Sequence, residues 1–202
     1  MNETTSPYDF QPFPKMARLS RECVITEKID GTNAQICITE DGGFWVGSRT
    51  RWITPEQDNF GFAKWAYENR EELMALGIGR HFGEWWGQGI QRNYGLKVRR
   101  FSLFNTIRWC LHGEEPKQIQ TGDPRIVKMQ DVLPPCCGLV PVLHRGMFCT
   151  TTIEDCINNL KSSGSYAEPG FMNPEGIVVY HVAAGIGFKK TIVGDETPKS
   201  IR

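Results

Sequence analysis

The chain has 202 residues, 40% hydrophobic and 11% aromatic, enough for one sizeable core and incompatible with a disordered, collagen-like or coiled-coil chain. Its 23 Lys and Arg balance 23 Asp and Glu, so the average charge gives no support for general polyanion binding. No apolar run approaches the roughly 20 residues that span a bilayer, and the opening MNETTSPYDF lacks the basic and apolar regions of a secretion signal, so a soluble, cytoplasmic protein without a membrane partner is expected.

Residues 1–20 hold Pro7, Pro12 and Pro14 between aromatics and read as an extended arm lying across the domain. Arg21 to Ile29 reads as a strand entering the core. Ala34 to Thr39 alternates apolar and polar residues, Asp41-Gly42-Gly43 supplies a hairpin turn, and Phe44 to Arg49 returns. Asn59 to Leu76 has a helical period, with Phe62, Ala66, Leu73 and Leu76 near one stripe and Gly77 and Gly79 as stops. Arg80 to Trp86 and Arg99 to Ile107 look like strands. Residues 112–136 read as loops with a short element, and Gly138 to Leu143 as a strand. Thr152 to Leu160 reads as a short helix capped by Thr151 or Thr152, and Ser162 to Pro174 as a loop. Ile177 to His181 and Ile186 to Ile192 close as a strand pair. The sum is an α+β domain rich in antiparallel sheet, without βαβ winding.

The seven cysteines are odd in number and contain no C-x-x-C pair, so they are expected reduced and packed as small apolar residues. The scattered histidines argue against structural zinc. From Arg80 to Arg108 there are six basic residues and one acid, Glu84, which fits either a phosphate-facing strip or a solvated face.

Chemistry concentrates in Glu27-Lys28-Ile29-Asp30-Gly31-Thr32-Asn33, which sets a lysine at a strand end before a glycine turn. Downstream come Ser48-Arg49-Thr50-Arg51, then Phe82-Gly83-Glu84-Trp85 with a carboxylate within a strand. Phe101-Ser102-Leu103-Phe104-Asn105 places an aromatic at an alternating position. Pro174-Glu175-Gly176-Ile177 opens a strand with a carboxylate, and Gly187-Phe188-Lys189-Lys190-Thr191 sets lysines in the last strand. Lysine, arginine, two carboxylates, an aromatic and a second lysine are what a nucleotide-adding enzyme needs. A lysine amine attacks phosphorus only when neutral, and an ordinary lysine, with a pKa of about 10.4, is almost wholly charged at pH 7. A neighbouring cation disfavours that charge, and Lys189 or a bound Mg²⁺ would supply one.

In this order the residues resemble the covalent nucleotidyltransferases, the superfamily of polynucleotide ligases and mRNA capping guanylyltransferases. Glu27 to Asn33 is most similar to the ATP-dependent RNA ligases of the phage and kinetoplastid-editing type, with Asn33 as the discriminating residue. The resemblance spans residues 21–193 and implies an ATP-grasp-like ligase adenylation domain with the nucleotide bound between sheets. It implies domain limits of 1–20 for the arm, 21–193 for the nucleotidyltransferase domain and 194–202 for a short tail.

By the same resemblance Lys28 is the nucleophile that takes AMP from ATP, and Asp30 orients substrate phosphates or the leaving group. Glu84 binds the ribose, Phe104 stacks on adenine, and Glu27 lies near the adenine edge. Arg49, in preference to Arg51, contacts the nucleotide or a 5′-phosphate, and Asn33 serves the strand-joining steps. Glu175 holds Mg²⁺ (or Mn²⁺), and Lys189 binds phosphate. Relatives carry lysine-x-lysine in the last of these segments. Here Lys190 adjoins Lys189, so either Thr191 stands in the second lysine's place or a bulge turns Lys190 toward the nucleotide.

Eleven residues follow Thr191, too few for the OB-fold or helical domain of many relatives. A bare domain with no C-terminal OB domain is therefore expected, a partner protein supplying the closing surface, and a compact ligase of this kind suggests a phage or viral source. The expected function is an ATP-dependent RNA ligase joining 3′-OH and 5′-phosphate ends through lysyl-AMP. The alternatives are a small DNA nick ligase, which Asp30 favours, a capping-type guanylyltransferase, and a non-catalytic nucleic-acid or partner-binding module.

Overall fold

The computed structural model describes residues 9–120 and 126–196. In chain order the strands are β1 (Glu22–Lys28), β2 (Thr32–Ile38), β3 (Phe44–Ser48), β4 (Gly79–Gly87), β5 (Arg99–Leu103), β6 (Trp109–Cys110), β7 (Gln118–Gln120), β8 (Val127–Met129), β9 (Asp131–Val132), β10 (Cys137–Leu139), β11 (Val142–Met147), β12 (Gly176–His181) and β13 (Ile186–Thr191). The helices are α1 (Phe62–Glu68), α2 (Arg70–Leu73) and α3 (Thr150–Ser163). The expected α+β class holds, with mostly antiparallel sheets.

Two sheets carry the fold. The first has the order β11-β1-β12-β13, antiparallel throughout. The second has the order β10-β5-β4-β2-β3, antiparallel except for the parallel β10–β5 pair. Each sheet buries one face under helix. Cys23 and Ile25 of β1 and Ile177 and Val179 of β12 pack with Cys156, Ile157 and Leu160 of α3. Ala34, Ile36 and Ile38 of β2, with Trp85 and Phe101, pack with Phe62, Ala66, Leu73 and Leu76. The predicted helical stripe is thus the buried one. A third cluster, Ile29, Trp86, Tyr94 and Val140, lies where the chain passes between sheets.

That passage is the three residues between β1 and β2. Gly31 is required there, because a Cβ would come within 2.4 Å of the Trp85 carbonyl oxygen and 2.7 Å of Trp86 Cβ. A second crossing splits what reads in sequence as one strand over Gly138 to Leu143. Cys137–Leu139 joins the second sheet, Pro141 interrupts, and Val142 onward joins the first. Proline removes a ladder donor, and its carbonyl instead accepts from the Glu27 N–H at 2.9 Å.

Other boundaries move for local reasons. The helix expected over Asn59–Leu76 breaks at Asn69, whose side chain donates to the Trp65 carbonyl at 2.8 Å. Its start is set by Asp58, whose carboxylate accepts from the Ala63 and Lys64 N–H groups at 2.7 and 3.0 Å. α3 begins at Thr150, with Cys149 rather than Thr151 or Thr152 at its cap. β5 stops at Leu103 because the chain turns at Asn105, whose side chain accepts from the Arg108 N–H at 3.0 Å. The region expected as loops forms the β7–β8 and β6–β9 pairs, although residues 121–125 lie outside the described residues. The expected arm over 1–20 is exposed from residue 9 onward rather than laid across the domain, and residues 1–8 lie outside the described residues. It is tied down at Leu19, whose carbonyl oxygen is 2.8 Å from His181 Nε2. The seven cysteines are all free.

Glu27 shows how firmly the first sheet is tied to its cover. It is buried, 1% exposed, and its carboxylate accepts from the Ser165 hydroxyl at 2.6 Å and from the Tyr166 and Ala167 N–H groups at 2.7 and 2.9 Å. Glu27→Ala leaves those donors without partners, so urea unfolding should show a loss on the order of 2–3 kcal/mol. A loss below ~0.5 kcal/mol would mean that the 165–167 segment does not depend on Glu27.

Candidate active site

The uncovered inner faces of the two sheets enclose an open cleft of about 1440 Å³. Sheet register decides which side chains reach it. On the first sheet Lys28 pairs with Gly176, which pairs with Thr191, and Thr26 pairs with Val178, which pairs with Lys189. Directly paired residues share a face, so Lys28, Thr191, Thr26, Val178 and Lys189 all face the cleft, with Gly176 leaving room beside Lys28. On the second sheet Asn33 pairs with Glu84 across β2 and β4.

Lys28 Nζ lies 2.5 Å from Glu175 Oε2, the lysine side chain 23% exposed and the carboxylate 2%. Glu175 immediately precedes β12, and its carbonyl accepts from the Ile192 N–H at 2.9 Å. Residues 147 positions apart meet because β1 and β12 are neighbours ending in the same row.

Glu84 faces this pair from the other sheet. Its Oε1 accepts from the Gly31 N–H at 3.1 Å and its Oε2 from the Asn33 side-chain amide at 3.0 Å. Burial pushes its carboxyl up to about 7, and the nearby Lys28 charge and these two bonds only partly oppose that. Glu84 therefore changes protonation near neutrality, where an ordinary glutamate is fully ionised.

Asp30 is held by Arg92, one of the six basic residues between Arg80 and Arg108, in a role the sequence did not indicate. Arg92 Nε donates to Asp30 Oδ2 at 2.9 Å, and the same guanidinium donates to Asn173 Oδ1 at 2.7 Å and to the Asn173 carbonyl at 2.9 Å. The Asp30 N–H donates to the buried Tyr94 hydroxyl at 2.8 Å. Arg92 thus ties the residue two after Lys28 to the residue two before Glu175. Its loop has left-handed backbone at Gln91, Asn93 and Tyr94, with φ of 44°, 62° and 52°. Such conformations in residues other than glycine persist only where the surroundings enforce them. The sequence signal that included Arg92 was the basic run from Arg80 to Arg108, which marks charge but not what it grips.

The remaining expected residues divide. Phe104, Arg49 and Lys189 line the cleft, while Arg51 is not among its lining residues. Lys190 does not join them. β12–β13 pairing runs without a bulge from Ile186 to Thr191, so Lys190 points to the opposite face, where it lies 3.4 Å from Glu154 of α3. Thr191 therefore holds the cleft position, its hydroxyl donating to the Val193 carbonyl at 3.1 Å. The Glu27 carboxylate also faces away, for the same alternation that points Lys28 inward, and is taken up by residues 165–167. The basic run from Arg80 to Arg108 splits too. Arg80, Arg92 and Arg108 line the cleft, Arg99 donates to the Phe60 and Gln88 carbonyls, and Arg100 pairs with Glu168.

A family model described as RNA ligase matches residues 21–192. The chain belongs to the RNA ligase family. Among solved structures, this RNA ligase domain is similar to a Naegleria gruberi RNA ligase variant in its apo form, at 20% identity and a TM-score of 0.56 over 85% of this chain and 50% of that one. It is similar to a variant of the same ligase with ATP and Mn, at 20% identity and a TM-score of 0.54, over 84% and 48%. The form with PPi matches at 20% identity and a TM-score of 0.53, over 85% and 50%. The present chain thus spans about half the length of these structures, and the likeness is one of fold. No curated protein matches the chain. Among the described residues of this family member, no helix is long and apolar enough to cross a membrane.

Two measurements test the site's electrostatics and its clamp. Because folding raises the Glu84 carboxyl from its ordinary 4.5 to about 7, the folded chain binds more protons than the unfolded chain between those values. Stability contributed at this site therefore falls as pH rises from about 4.5 to about 7 and is flat above. Glu84→Gln should remove that slope, on the order of 3 kcal/mol between pH 4.5 and pH 8 in urea unfolding relative to wild type; parallel wild-type and variant curves would refute it. Arg92→Ala should remove the tie between Asp30 and Asn173 and cost about 1–3 kcal/mol in urea unfolding, and Arg92→Lys, which keeps charge but not the fork, should recover little of it. A loss below ~0.5 kcal/mol would mean that the clamp does not hold the passage between the sheets.

Proposed function

We propose that this cleft is the adenylation site of an ATP-dependent RNA ligase that joins 3′-OH and 5′-phosphate RNA ends. The observation that carries the reading is the Lys28–Glu175 contact at 2.5 Å, set at the junction of two sheets and faced by Glu84. A lysine amine and two buried carboxylates serve no packing purpose in one open cleft.

Lys28 Nζ attacks the α-phosphorus of ATP, an N–P bond forms, and pyrophosphate leaves. The 5′-phosphate of RNA then displaces the lysine from AMP, and the 3′-hydroxyl displaces AMP from the adenylylated end. Glu84 accepts the ribose hydroxyls with its remaining lone pairs, and Phe104 offers its ring to adenine. Arg49 and Lys189 offset phosphate charge, and Asp30, fixed by Arg92, orients the phosphates next to Lys28. Asn33, already on Glu84, couples the ribose site to the strand-joining steps.

Among the described residues there is no cluster of three or more His, Cys, Asp or Glu that would cage a metal. One or two cleft carboxylates, Glu175 first, suit Mg²⁺ or Mn²⁺, which is commonly held by a few carboxylates together with water and substrate phosphates. Such an ion offsets charge on the triphosphate when bound. The Naegleria ligase with ATP and Mn supports that pairing of nucleotide and metal.

Labelled ATP or GTP and Mg²⁺ or Mn²⁺, followed by a denaturing gel, test the reading. Label from ATP should survive denaturation, vanish in Lys28→Ala, and discharge onto 5′-phosphorylated RNA more than tenfold faster than onto matched DNA. Label from GTP alone would make the domain a capping-type guanylyltransferase, and a preference for DNA nicks would make it a DNA ligase. A folded protein that takes no label from either nucleotide would be a binding module.

A further inference from the structure

The face of the second sheet that carries Glu84 continues past it as a row of exposed aromatics. Strand pairing lays this face out in ranks. The first rank holds Asn33 and Glu84, and the next holds Gly47, Gln35 and Phe82, with the Phe104 N–H donating to the Phe82 carbonyl at 3.0 Å. The third rank holds Trp45, Cys37 and Arg80. Trp52 extends the second rank through its bridge to Gly47, which has no side chain to stand between the ring and β2. Three ranks, four residues apart along β4, cover about 13 Å of strand.

Four rings stand out on this floor, with 41% exposure at Phe104, 50% at Phe82, 45% at Trp52 and 53% at Trp45. They form one surface. The Trp45 and Trp52 centroids are 6.1 Å apart, and the Arg80 guanidinium lies 5.6 Å over the Trp52 ring. Arg80 and Phe82 also line the cleft, so the rings lead directly out of it. Beyond Glu84 these ranks carry no carboxylate, and Glu40 and Asp41 lie past their far end at the β2–β3 turn. Burying these rings would release apolar surface from water, yet no described residue covers them.

We infer that Trp45, Trp52, Phe82 and Arg80 form a stacking platform for a single-stranded RNA segment next to the adenylation site. The inference rests on the polynucleotide-ligase reading of that site. Every base has a flat face, so a chain of rings holds a strand without reading its sequence, and the guanidinium placed among them meets the phosphates between bases. Arg80 and cleft-lining Arg49 give the platform the sign its occupant requires. A duplex fits less well, because its bases are already stacked on one another and present edges rather than faces. A protein partner would find a row of rings interrupted by the Arg80 cation where a docking surface has a continuous apolar centre.

The platform predicts a loss of strand binding that leaves adenylylation intact. The probe is a 12-nucleotide unstructured RNA with a 3′ fluorophore, followed by anisotropy, with a blunt RNA duplex of equal length beside it. The double variant W45A/W52A should weaken the single strand at least tenfold and the duplex less than threefold, while W45F/W52F, which keeps two rings, should stay within threefold of wild type. Labelling of Lys28 by ATP and the thermal midpoint should be unchanged in both. Single-strand Kd values within twofold of wild type in W45A/W52A, wild type that does not bind the strand, or equal losses for strand and duplex would each overturn the platform. Ring-dependent strand binding in a protein whose Lys28 takes no label would remove the ligase reading and keep the platform. Lys28 labelling without ring-dependent binding would do the reverse.

Discussion

The contact on which the rest of the site depends is the bond from the Gly31 N–H to Glu84 Oε1. Gly31 is the last residue of the short passage between β1 and β2, and therefore between the two sheets. Lys28 ends one sheet and Asn33 lies near the start of the other, so their relation is set by four intervening residues and not by a distant interface. The passage is gripped on three sides, by Glu84 on the Gly31 N–H, by Tyr94 on the Asp30 N–H and by Arg92 on the Asp30 carboxylate. A cleft between sheets would normally open and close as they shift. Here Lys28, Asp30 and Asn33 sit on or beside the passage that joins the sheets, where a shift between them moves these side chains least.

Three buried glutamates do three kinds of work, and environment separates them. Glu27 meets only donors, a hydroxyl and two N–H groups, and anchors the segment after α3. Glu175 meets Lys28. Glu84 meets neutral donors in a buried setting with Lys28 nearby, and burial dominates, bringing its carboxyl to about 7. Glu84 and Glu175 each adjoin a glycine, Gly83 and Gly176, where the missing side chain lets backbone and carboxylate come close. Charge kept this near apolar sheet faces is stable only when partnered, so the grip on the passage and the chemistry of the cleft draw on the same bonds.

Alternation along strands separates the inner and outer faces, and most of the site follows from it. Lys28 points inward because Glu27 points outward, and Lys189 and Thr191 point inward because Lys190 does not. The same rule sets Phe82 and Arg80 in line with Glu84, so the face that carries Glu84 into the cleft also carries the rings outside it. A domain with its helices on the outer faces leaves that inner surface to ligand.

Strands β1, β3, β4 and β12–β13, the α1–α2 stripe and the order of Lys28, Glu84, Phe104, Glu175 and Lys189 were legible in the sequence, because alternation, helical period and short motifs are local. For the last strand alternation left two choices, Thr191 in the second lysine's place or a bulge turning Lys190 inward, and the regular β12–β13 register decided for the first. The split of residues 138–143 between two sheets, the parallel β10–β5 pair and the break at Asn69 were not legible, because each answers to a partner far along the chain. The partners of Arg92 and Tyr94 were hidden for the same reason. Their work lies in bonds to Asp30 and Asn173, made through left-handed backbone that no pattern of residue types announces. The sequence by itself therefore determined the fold class, the family and the residue types of the site. Only the tertiary structure decided which of those residues meet, because a meeting across two sheets is a matter of register and of the turn between them.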